Sequence, residues 1–373
     1  MLTAPAAIGD SVDAIDTPAL IVDLDALEFN IGRMAAFADS AGIALRPHAK
    51  THRCPAVALR QVRAGAVGQC VQTVGEAEAL VAGGIADVIV TNQVLAPAKL
   101  ARLSRLARAA RIGVLVDSPE GVEAASRAAC AEGAGLDVLV EIEVGMGRCG
   151  IAAGQPAAAL ARRVADAPGL RFMGLQAYNG RAQHIASHAG RHDAVAHAAD
   201  GVRETLGALA GQRLAAAIVG GAGTGTFRFE AEAGLWTELQ VGSYVFMDAE
   251  YAGLAGEDGR PAPEFRNSLF VLAEIISTPS SDRAVANAGL KVLTTEQGRP
   301  LVSGRPEIDV AAVSDEHSLL VLPARSAPFS LRDQVKLIPS HCDPTVNLHD
   351  WIVAVRGNRV EEVWPVTARG ASR

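Results

Sequence analysis

The sequence lacks long apolar runs, clustered cysteines and basic blocks, and each absence excludes a class of protein. No apolar run reaches the roughly 18 residues of a membrane span, and the first dozen residues show no secretory signal. The five cysteines are scattered, odd in number and without CxxC spacing, which favours reduced thiols in a cytoplasm. The net charge is −7 without a lysine- or arginine-rich block, so neither nucleic acid nor a membrane is an expected partner.

The composition is that of an enzyme with a large core. The chain has 373 residues, of which 49% are hydrophobic and 20% charged, enough for one large domain and a second module. Strand-like and helix-like segments alternate from Ile43 to Gly242 in roughly eight βα units, which predicts an N-terminal TIM (β/α)8 barrel. An open doubly wound sheet is the alternative. The regular unit length and the absence of GxGxxG after the first strand disfavour it.

The last third of the chain consists of short β-type runs separated by Gly, Pro and Asp. These runs predict a C-terminal all-β domain, so the fold class is α/β plus all-β. One earlier strand, Ala19–Asp23, is expected to join that domain, because chain termini often lie close together. The predicted division is a barrel over 25–250 and a β domain formed by 1–24 and 251–373.

One lysine has a position suited to catalysis. Lys50 follows a strand-like run, Ile43–Leu45, and precedes a helix-like segment that begins at Pro55. Barrels of this type keep catalytic groups where a strand ends and a helix follows. A lysine there can be partly desolvated, which lowers the pKa of its amine and allows it to form a Schiff base. An ordinary surface lysine in a βα loop is the alternative.

A glycine-rich loop follows the seventh predicted barrel strand. Residues 220–226 read GGAGTGT, so backbone N–H groups can approach an anion closely and two threonines add hydroxyl donors. TIM barrels frequently bind phosphate through the loops after strands 7 and 8, although a flexible glycine turn is the alternative. A lysine for an aldehyde and a cradle for a phosphate together suggest pyridoxal 5'-phosphate. The candidate phosphate-binding residues are Gly221, Gly223, Thr224, Gly225 and Thr226.

Further polar residues follow neighbouring strands. Arg148 lies in a glycine turn after the strand that ends at Glu143, and its guanidinium can hold the phenolate or ring of the cofactor. Tyr178 ends the next strand and can stack on a ligand or hydrogen-bond to it. His184 lies in the loop that follows. Several polar side chains at consecutive strand ends are typical of a binding site.

A histidine and a carboxylate lie two residues apart in the β domain. In an extended segment, the side chains of His341 and Asp343 would face one way and Cys342 the other. One imidazole and one carboxylate make a sparse, open site for a divalent metal. A polar turn is the alternative.

Taken together, these motifs resemble those of the D-threonine aldolases, in the larger group of alanine-racemase-fold pyridoxal-phosphate enzymes that also holds D-serine dehydratases. The resemblance runs nearly from end to end, and its segments are DTPA at 16–19, RPHAKTH at 46–52, VGEAE at 74–78, QAY at 176–178, the glycine–threonine loop, ELQVGSY at 238–244 and HCD at 341–343. It implies a barrel that carries the cofactor, a C-terminal β domain and a homodimer with active sites at the subunit interface. The further cofactor contacts that it implies are His48, Gln240, Gly242, Ser243 and Tyr244.

The residue at position 343 distinguishes two activities within this group. Dehydratase relatives tend to have Cys two positions after the histidine, a soft ligand suited to zinc, whereas Asp343 is a harder donor suited to Mn²⁺, Mg²⁺ or Co²⁺. This favours retro-aldol cleavage of D-threonine and related D-3-hydroxy amino acids to glycine and an aldehyde. The metal would polarise the β-hydroxyl, and His184 or a hydroxide on the metal would remove its proton.

Three other functions stay open at this point. A metal-dependent dehydratase of D-serine or 3-hydroxyaspartate would release a 2-oxo acid and ammonia. An amino-acid racemase would need no metal site. A non-catalytic pyridoxal-phosphate carrier would not need a long β domain with His341 and Asp343.

Overall fold

The computed structural model describes residues 3–373, which form two sheets and the helices packed on them. The strands are β1 (Ala19–Asp23), β2 (Ala44–Leu45), β3 (Gln69–Val71), β4 (Asp87–Gln93), β5 (Arg111–Val116), β6 (Leu136–Glu141), β7 (Leu170–Ala177), β8 (Ile218–Gly221), β9 (Glu238–Leu239), β10 (Leu269–Ser280), β11 (Arg283–Ala286), β12 (Leu301–Val302), β13 (Asp309–Val313), β14 (Ser318–Val321), β15 (Gln334–Ile338), β16 (Trp351–Arg356) and β17 (Arg359–Pro365). The α-helices are α1 (Leu24–Ala41), α2 (Pro55–Arg63), α3 (Val74–Ala82), α4 (Pro97–Leu106), α5 (Pro119–Ala131), α6 (Gln155–Asp166), α7 (His188–Gly211), α8 (Phe227–Ala233), α9 (Ala249–Ala252) and α10 (Cys342–Val346). Within the described residues, no helix has the length and apolarity needed to cross a membrane.

The first sheet is a closed barrel of eight parallel strands. Their order is β2-β9-β8-β7-β6-β5-β4-β3, and an isolated parallel bridge between His48 and Cys70 joins its two ends. Cys70 donates its N–H to Pro47 O at 2.8 Å, and Ala49 donates to Cys70 O at 2.8 Å. The predicted TIM barrel is confirmed, and β2, the strand that precedes Lys50, lies where the barrel closes.

Apolar side chains fill the barrel and cover its outside. Cys70, Ile89, Leu115 and Leu139 form one buried cluster inside it, as expected for a barrel whose interior is filled by side chains. A second cluster lies between strands and helices and explains why the strands read as nearly continuous apolar runs. The site is therefore confined to the strand ends and the loops that follow them.

A buried charge network stabilises the closure of the barrel at β2. Arg46 is 2% exposed; its Nη1 lies 2.6 Å from Asp87 Oδ1 and its Nε lies 2.9 Å from Glu238 Oε2. The guanidinium thus joins β2 to β4 and β9. Removal of Arg46 would leave the buried carboxylate of Glu238 without its cationic partner, which costs about 3–5 kcal/mol.

The second sheet forms the β domain and includes the N-terminal strand. Its main order is β13-β14-β11-β10-β1-β16-β17, and β15 pairs with β10 and β12. β1 runs antiparallel to β10 and parallel to β16, with Ile21 opposite Phe270 on one side and Val353 on the other. These residues belong to one buried cluster. The chain leaves this sheet at Asp23, whose side chain caps α1 by accepting the Ala26 N–H at 3.0 Å.

The glycine-rich segment differs in one respect from its prediction as a single loop. Gly220 and Gly221 belong to β8, and the loop begins at Ala222. The reason is local packing, because a Cβ on Gly221 would lie 2.2 Å from Ala177 O of the neighbouring strand. The glycine at this position therefore permits close contact between β7 and β8.

Candidate active site

Lys50 lies after the first barrel strand and contacts the β domain. The chain is still paired with β3 at His48, and a turn over 49–52 follows before α2 begins. The Lys50 side chain is 37% exposed, and its Nζ lies 3.3 Å from Asp343 Oδ2. The candidate Schiff-base lysine and one candidate metal ligand are therefore in direct contact.

The charges of this pair shift both pKa values toward the ionised forms. The Asp343 carboxylate raises the pKa of Lys50 and outweighs burial, which lowers it. Burial alone would raise the pKa of Asp343, but Lys50 and His341 outweigh it and hold that pKa below its ordinary value. The expected lowering of the lysine pKa was wrong here. That prediction considered the desolvation of the amine but not a carboxylate at hydrogen-bonding distance from it.

A cleft at the carboxyl ends of the barrel strands surrounds the Lys50 amine, and we call it the lysine cleft. Its empty volume is about 560 Å³, including its open mouth. The predicted site residues that line it are His48, Lys50, Arg148, Tyr178, Gly223, Thr224, Gln240, Gly242 and Ser243. Most of the predicted cofactor contacts therefore meet in one cavity.

His48 forms a fixed and uncharged part of the lysine cleft. Its Nε2 lies 3.0 Å from Thr91 Oγ1 and 3.0 Å from Gln72 Nε2, and the Lys50 N–H donates to its Nδ1 at 3.3 Å. Burial holds the pKa of His48 well below its ordinary value. The imidazole is thus neutral near pH 7 and offers a flat face to a planar ligand.

The loop over 222–226 has the properties of an anion cradle. Ala222 has a φ of 73°, a strained conformation of the kind that clusters at functional sites. A Cβ on Gly223 would lie 2.4 Å from Gln183, so only glycine leaves the backbone this close. The Tyr244 N–H donates to Thr224 Oγ1 at 2.9 Å. Because Thr224 Oγ1 accepts this bond, the O–H of Thr224 must point toward a different acceptor. These features fit the phosphate of pyridoxal 5'-phosphate.

Gly225 and Thr226 support this loop from behind. The Gln183 amide accepts the Gly225 N–H at 2.9 Å and donates to Thr226 Oγ1 at 2.8 Å. Thr226 in turn donates to Glu230 Oε1 at 2.8 Å. Burial raises the pKa of Glu230 to about 7. Gly225 and Thr226 line a second cavity, which lies next to the lysine cleft. Their hydrogen bonds therefore position the loop from outside the lysine cleft.

Arg148 and Tyr178 reach the lysine cleft together with a buried carboxyl group. Arg148 Nη2 lies 3.8 Å from Glu141 Oε1, and Glu141 also accepts a hydrogen bond from Gln93. Burial raises the pKa of Glu141 and that of Tyr178, because their charged forms lose hydration. A ligand in the cleft therefore meets one guanidinium and a neutral phenol.

His341 and Asp343 meet at the start of α10. His341 Nε2 lies 3.9 Å from Asp343 Oδ1. The expected extended geometry was wrong. Only His341 is extended, and a helix begins at Cys342, whose buried Sγ donates to Met247 O at 3.3 Å. The turn of this helix, and not strand alternation, brings the imidazole and the carboxylate together.

The chemistry of this pair fits a divalent metal ion. Asp343 Oδ1 is buried and has no hydrogen-bond partner in the described chain, and buried polar atoms without partners are rare. Carboxylate oxygen and imidazole nitrogen are ordinary ligands for such ions. No group of three or more His, Cys, Asp or Glu side chains within residues 3–373 has the arrangement of a metal site. The pair would therefore form an open site with positions left for substrate or water.

Besides Gly225, Thr226 and the two candidate metal ligands, three predicted site residues do not line the lysine cleft. Gly221 belongs to β8. Tyr244 is fully buried, and its hydroxyl accepts the Gln61 amide at 3.0 Å. His184 has a side chain that is half exposed and bonded to Glu250. A position after a strand predicts nearness to the site, but it does not predict the direction of the side chain.

Sequence reasoning missed five cleft residues with polar side chains. They are Gln72, Thr91, Glu141, Gln176 and Tyr251. The first four lie at or near the carboxyl ends of barrel strands, where a polar residue in an otherwise apolar run is a usable signal. Tyr251 lies just beyond the expected end of the barrel and offered no such signal.

The fold and the site define a class. A closed barrel with a lysine after its first strand, followed by a β domain, is the alanine-racemase architecture. The family model "Alanine racemase, N-terminal domain" matches residues 22–250, and the model "Putative serine dehydratase domain" matches residues 268–355. This family implies pyridoxal 5'-phosphate as the cofactor.

Full-length relatives narrow the class. The chain is 46% identical to a D-threonine aldolase from Arthrobacter sp over 100% of this chain and 97% of the relative. It is 42% identical to a 3-hydroxy-D-aspartate aldolase from Paracoccus denitrificans (strain Pd 1222) over 98% and 95% of the two chains. The crystal structure of a D-threonine aldolase from Filomicrobium marinum has 46% identity and a TM-score of 0.96 over 100% of both chains. The chain belongs to the D-threonine aldolase family and is a lyase.

Proposed function

We propose that the protein cleaves D-threonine and related D-3-hydroxy amino acids to glycine and an aldehyde, using pyridoxal 5'-phosphate and a divalent metal ion. The observation that carries this proposal is the 3.3 Å contact between Lys50 Nζ and Asp343 Oδ2. The contact supports the proposal because the amine that we propose to attach the cofactor lies beside a carboxylate suited to a hard metal ion. The amine on Cα and the hydroxyl on the neighbouring Cβ of one substrate molecule would reach these two groups together.

The barrel residues bind and orient the cofactor. When bound, pyridoxal 5'-phosphate delocalises the electron pair left on Cα after the Cα–Cβ bond breaks. Lys50 Nζ would hold the cofactor by a covalent bond to the carbon of its aldehyde group. Thr224 and Ser243 line the end of the cleft with the glycine loop and would hold the phosphate. The neutral His48 ring and the Arg148 guanidinium line the cleft that receives the flat ring.

The β domain supplies the group that acts on the hydroxyl. His341 and Asp343 would hold Mn²⁺, Mg²⁺ or Co²⁺, which there would lower the pKa of the β-hydroxyl. Asp343 is ionised at neutral pH because Lys50 and His341 outweigh the effect of burial on its pKa. The base that would take the hydroxyl proton, His184 or a hydroxide on the metal, stays a prediction. The His184 ring is bonded to Glu250.

The assembly and location belong to the same proposal. We expect a homodimer in the cytoplasm, with a small D-3-hydroxy amino acid as the partner of each site. The support is the family resemblance and the presence of five free cysteines, which suit a reducing compartment. Sedimentation of the purified protein measures the oligomeric state directly.

Product analysis tests the proposed reaction. D-threonine, L-threonine and D-serine are incubated separately with the cofactor-loaded enzyme, with and without a chelator. We expect glycine and acetaldehyde from D-threonine alone, and their loss with chelator. A 2-oxo acid with ammonia would identify a dehydratase instead. L-allo-threonine formed from D-threonine by inversion at Cα, insensitive to chelator, would identify a racemase.

A further inference from the structure

Arg53, three residues after Lys50, has an unusual backbone conformation. Its φ is 50°, in the left-handed region that a residue with a side chain disfavours. The Arg53 N–H donates to Ala49 O at 2.7 Å, and its C=O accepts the Ala368 N–H at 3.1 Å. The surrounding structure therefore maintains a conformation that an arginine disfavours. Such strain points to a role for the side chain that it orients.

The guanidinium of Arg53 joins three parts of the chain. Its Nη1 donates to Asn347 Oδ1 at 2.9 Å, and its Nη2 lies 3.1 Å from Glu76 Oε1. Its Nε donates to the carbonyl of Lys50 at 3.4 Å. Glu76 is 2% exposed in the first turn of α3, so it is a fixed anchor in the barrel. The planar guanidinium has several N–H donors, so it suits bonding to three partners at once better than the single ammonium of a lysine would.

The two ends of this bridge lie beside the two candidate reactive groups. Asn347 immediately follows α10, four residues after Asp343, and the Lys50 carbonyl belongs to the candidate Schiff-base residue itself. The contact between Lys50 and Asp343 spans the barrel and the β domain. Its length therefore depends on how the segment 341–347 sits against the loop 48–53. Arg53 is bonded to both segments.

We propose that Arg53 is a positioning residue that holds the segment 341–347 against the loop 48–53 and thereby sets the separation of the metal and the cofactor. This inference rests on the proposed function, because it takes Lys50 as the cofactor residue and Asp343 as a metal ligand. Arg53 acts through these neighbours.

A second arginine provides a matched control. Arg60 also joins the barrel to the β domain, since it is bonded to Glu362 of β17, and its Cζ lies 4.5 Å from the centre of the Trp364 ring. Its partners lie in β17 and in its own helix α2, where it donates to Ala56 O at 3.1 Å, and not in the loop 48–53 or the segment 341–347. Loss of Arg60 should therefore weaken the packing of the two domains without moving the two reactive groups.

The test uses Arg53→Gly, because glycine accepts the left-handed backbone while removing the guanidinium. On the cofactor-loaded protein, calorimetry measures Mn²⁺ affinity, and phosphorus NMR measures how strongly bound Mn²⁺ relaxes the cofactor phosphate. We expect Arg53→Gly to lower the affinity by about 10-fold or more, as loss of groups that orient metal ligands does, and to change the relaxation. Its visible cofactor absorbance should be unchanged, and Arg60→Ala should match the wild type in all three measurements.

A second pair of variants tests the other end of the bridge. Asn347→Asp keeps an oxygen for Arg53 and should keep wild-type Mn²⁺ affinity, whereas Asn347→Leu should lower it as Arg53→Gly does. Wild-type affinity and relaxation in Arg53→Gly would overturn the proposal, as would equal losses in Arg60→Ala. A wild type that binds Mn²⁺ but makes no glycine refutes the proposed reaction alone. A wild type that binds no Mn²⁺ overturns both.

Discussion

At the scale of single residues, Lys50 differs from the other lysines in what surrounds it. The chain has four lysines, at positions 50, 99, 291 and 336. Lys291 is paired with Glu316 on the surface, and Lys336 lies 5.6 Å from the centre of the Phe270 ring. Only Lys50 lines the lysine cleft among the described residues. Its amine is thus placed to react with a bound aldehyde.

Replacement of this lysine should remove the cofactor attachment. Lys50→Ala should lose the visible absorbance of the attached cofactor and all turnover of D-threonine, because no other lysine of residues 3–373 lines the cleft. Lys99→Ala, on the outer helix α4, is the control and should behave as the wild type. Borohydride reduction of the wild type followed by peptide mapping identifies the attached residue. Label on Lys99, Lys291 or Lys336 would refute the assignment.

The sequence predicted Lys50 and Asp343 separately, but not their contact. Each was found from its neighbours, a strand end for Lys50 and a histidine two residues away for Asp343. Their 3.3 Å separation depends on the packing of the barrel on the β domain, which no local pattern specifies. For the same reason the direction of the lysine pKa shift was wrong, since its largest cause is Asp343.

At the scale of elements, the loop over 222–226 is held by a buried network. Gln183, Thr226 and Glu230 are each less than 5% exposed and are linked by bonds of 2.8 Å. The sequence predicted the loop from its glycines but assigned all of it to the phosphate. The network could not be predicted, because Gln183 lies in a different loop and α8 is too short for a clear helical period.

A side chain at Gly223 should disturb cofactor binding. In Gly223→Ala the new Cβ would meet Gln183 at 2.4 Å, and that amide cannot move freely because Gly225 and Thr226 hold it. The backbone of the cradle must shift, so cofactor affinity should fall by about 10-fold, the equivalent of one charge-assisted hydrogen bond.

Absorbance titration with the cofactor measures this affinity. Gly207→Ala is the matched control, because its Cβ in α7 meets nothing within 4 Å, and alanine favours a helix. Equal affinity in both variants, with normal circular dichroism, would place the phosphate elsewhere.

The buried carboxyl group of α8 should make folding depend on pH. Burial raises the pKa of Glu230 from 4.5 to about 7, so the folded state keeps a proton that the unfolded state releases. The free energy of unfolding should therefore fall as pH rises from about 4.5 to 7, by about 3 kcal/mol in total. The side chain in Glu230→Gln is neutral at every pH, so the free energy of unfolding of this variant should not fall in this way.

Thermal unfolding at a series of pH values checks the sign. The difference in Tm between Glu230→Gln and the wild type should grow in favour of the variant from pH 5 to pH 8. Parallel curves for the two proteins would mean that Glu230 has an ordinary pKa in the folded state.

At the scale of the whole molecule, the barrel carries the Lys50 amine, the β domain carries the Asp343 carboxylate, and the packing of the two domains brings these groups into contact. The barrel was predictable because strands and helices alternate regularly, and the insertion of β1 between β10 and β16 agrees with the expected meeting of the termini. The start of α10 at Cys342 was not predictable from alternation. The active site therefore depends on an arrangement that only the folded chain specifies.

The most direct test of the account is D-threonine cleavage by His341→Ala and Asp343→Ala. Both variants should bind the cofactor and keep its visible absorbance, because Lys50 and the barrel remain. Their rate of acetaldehyde release with saturating Mn²⁺ should fall by about 100-fold or more, because no metal ion would then lower the pKa of the β-hydroxyl. Chelator should stop the wild type, and Mn²⁺ should restore it but neither variant. Cleavage by both variants at the wild-type rate would contradict the account, because the reaction would then proceed without a metal at this pair.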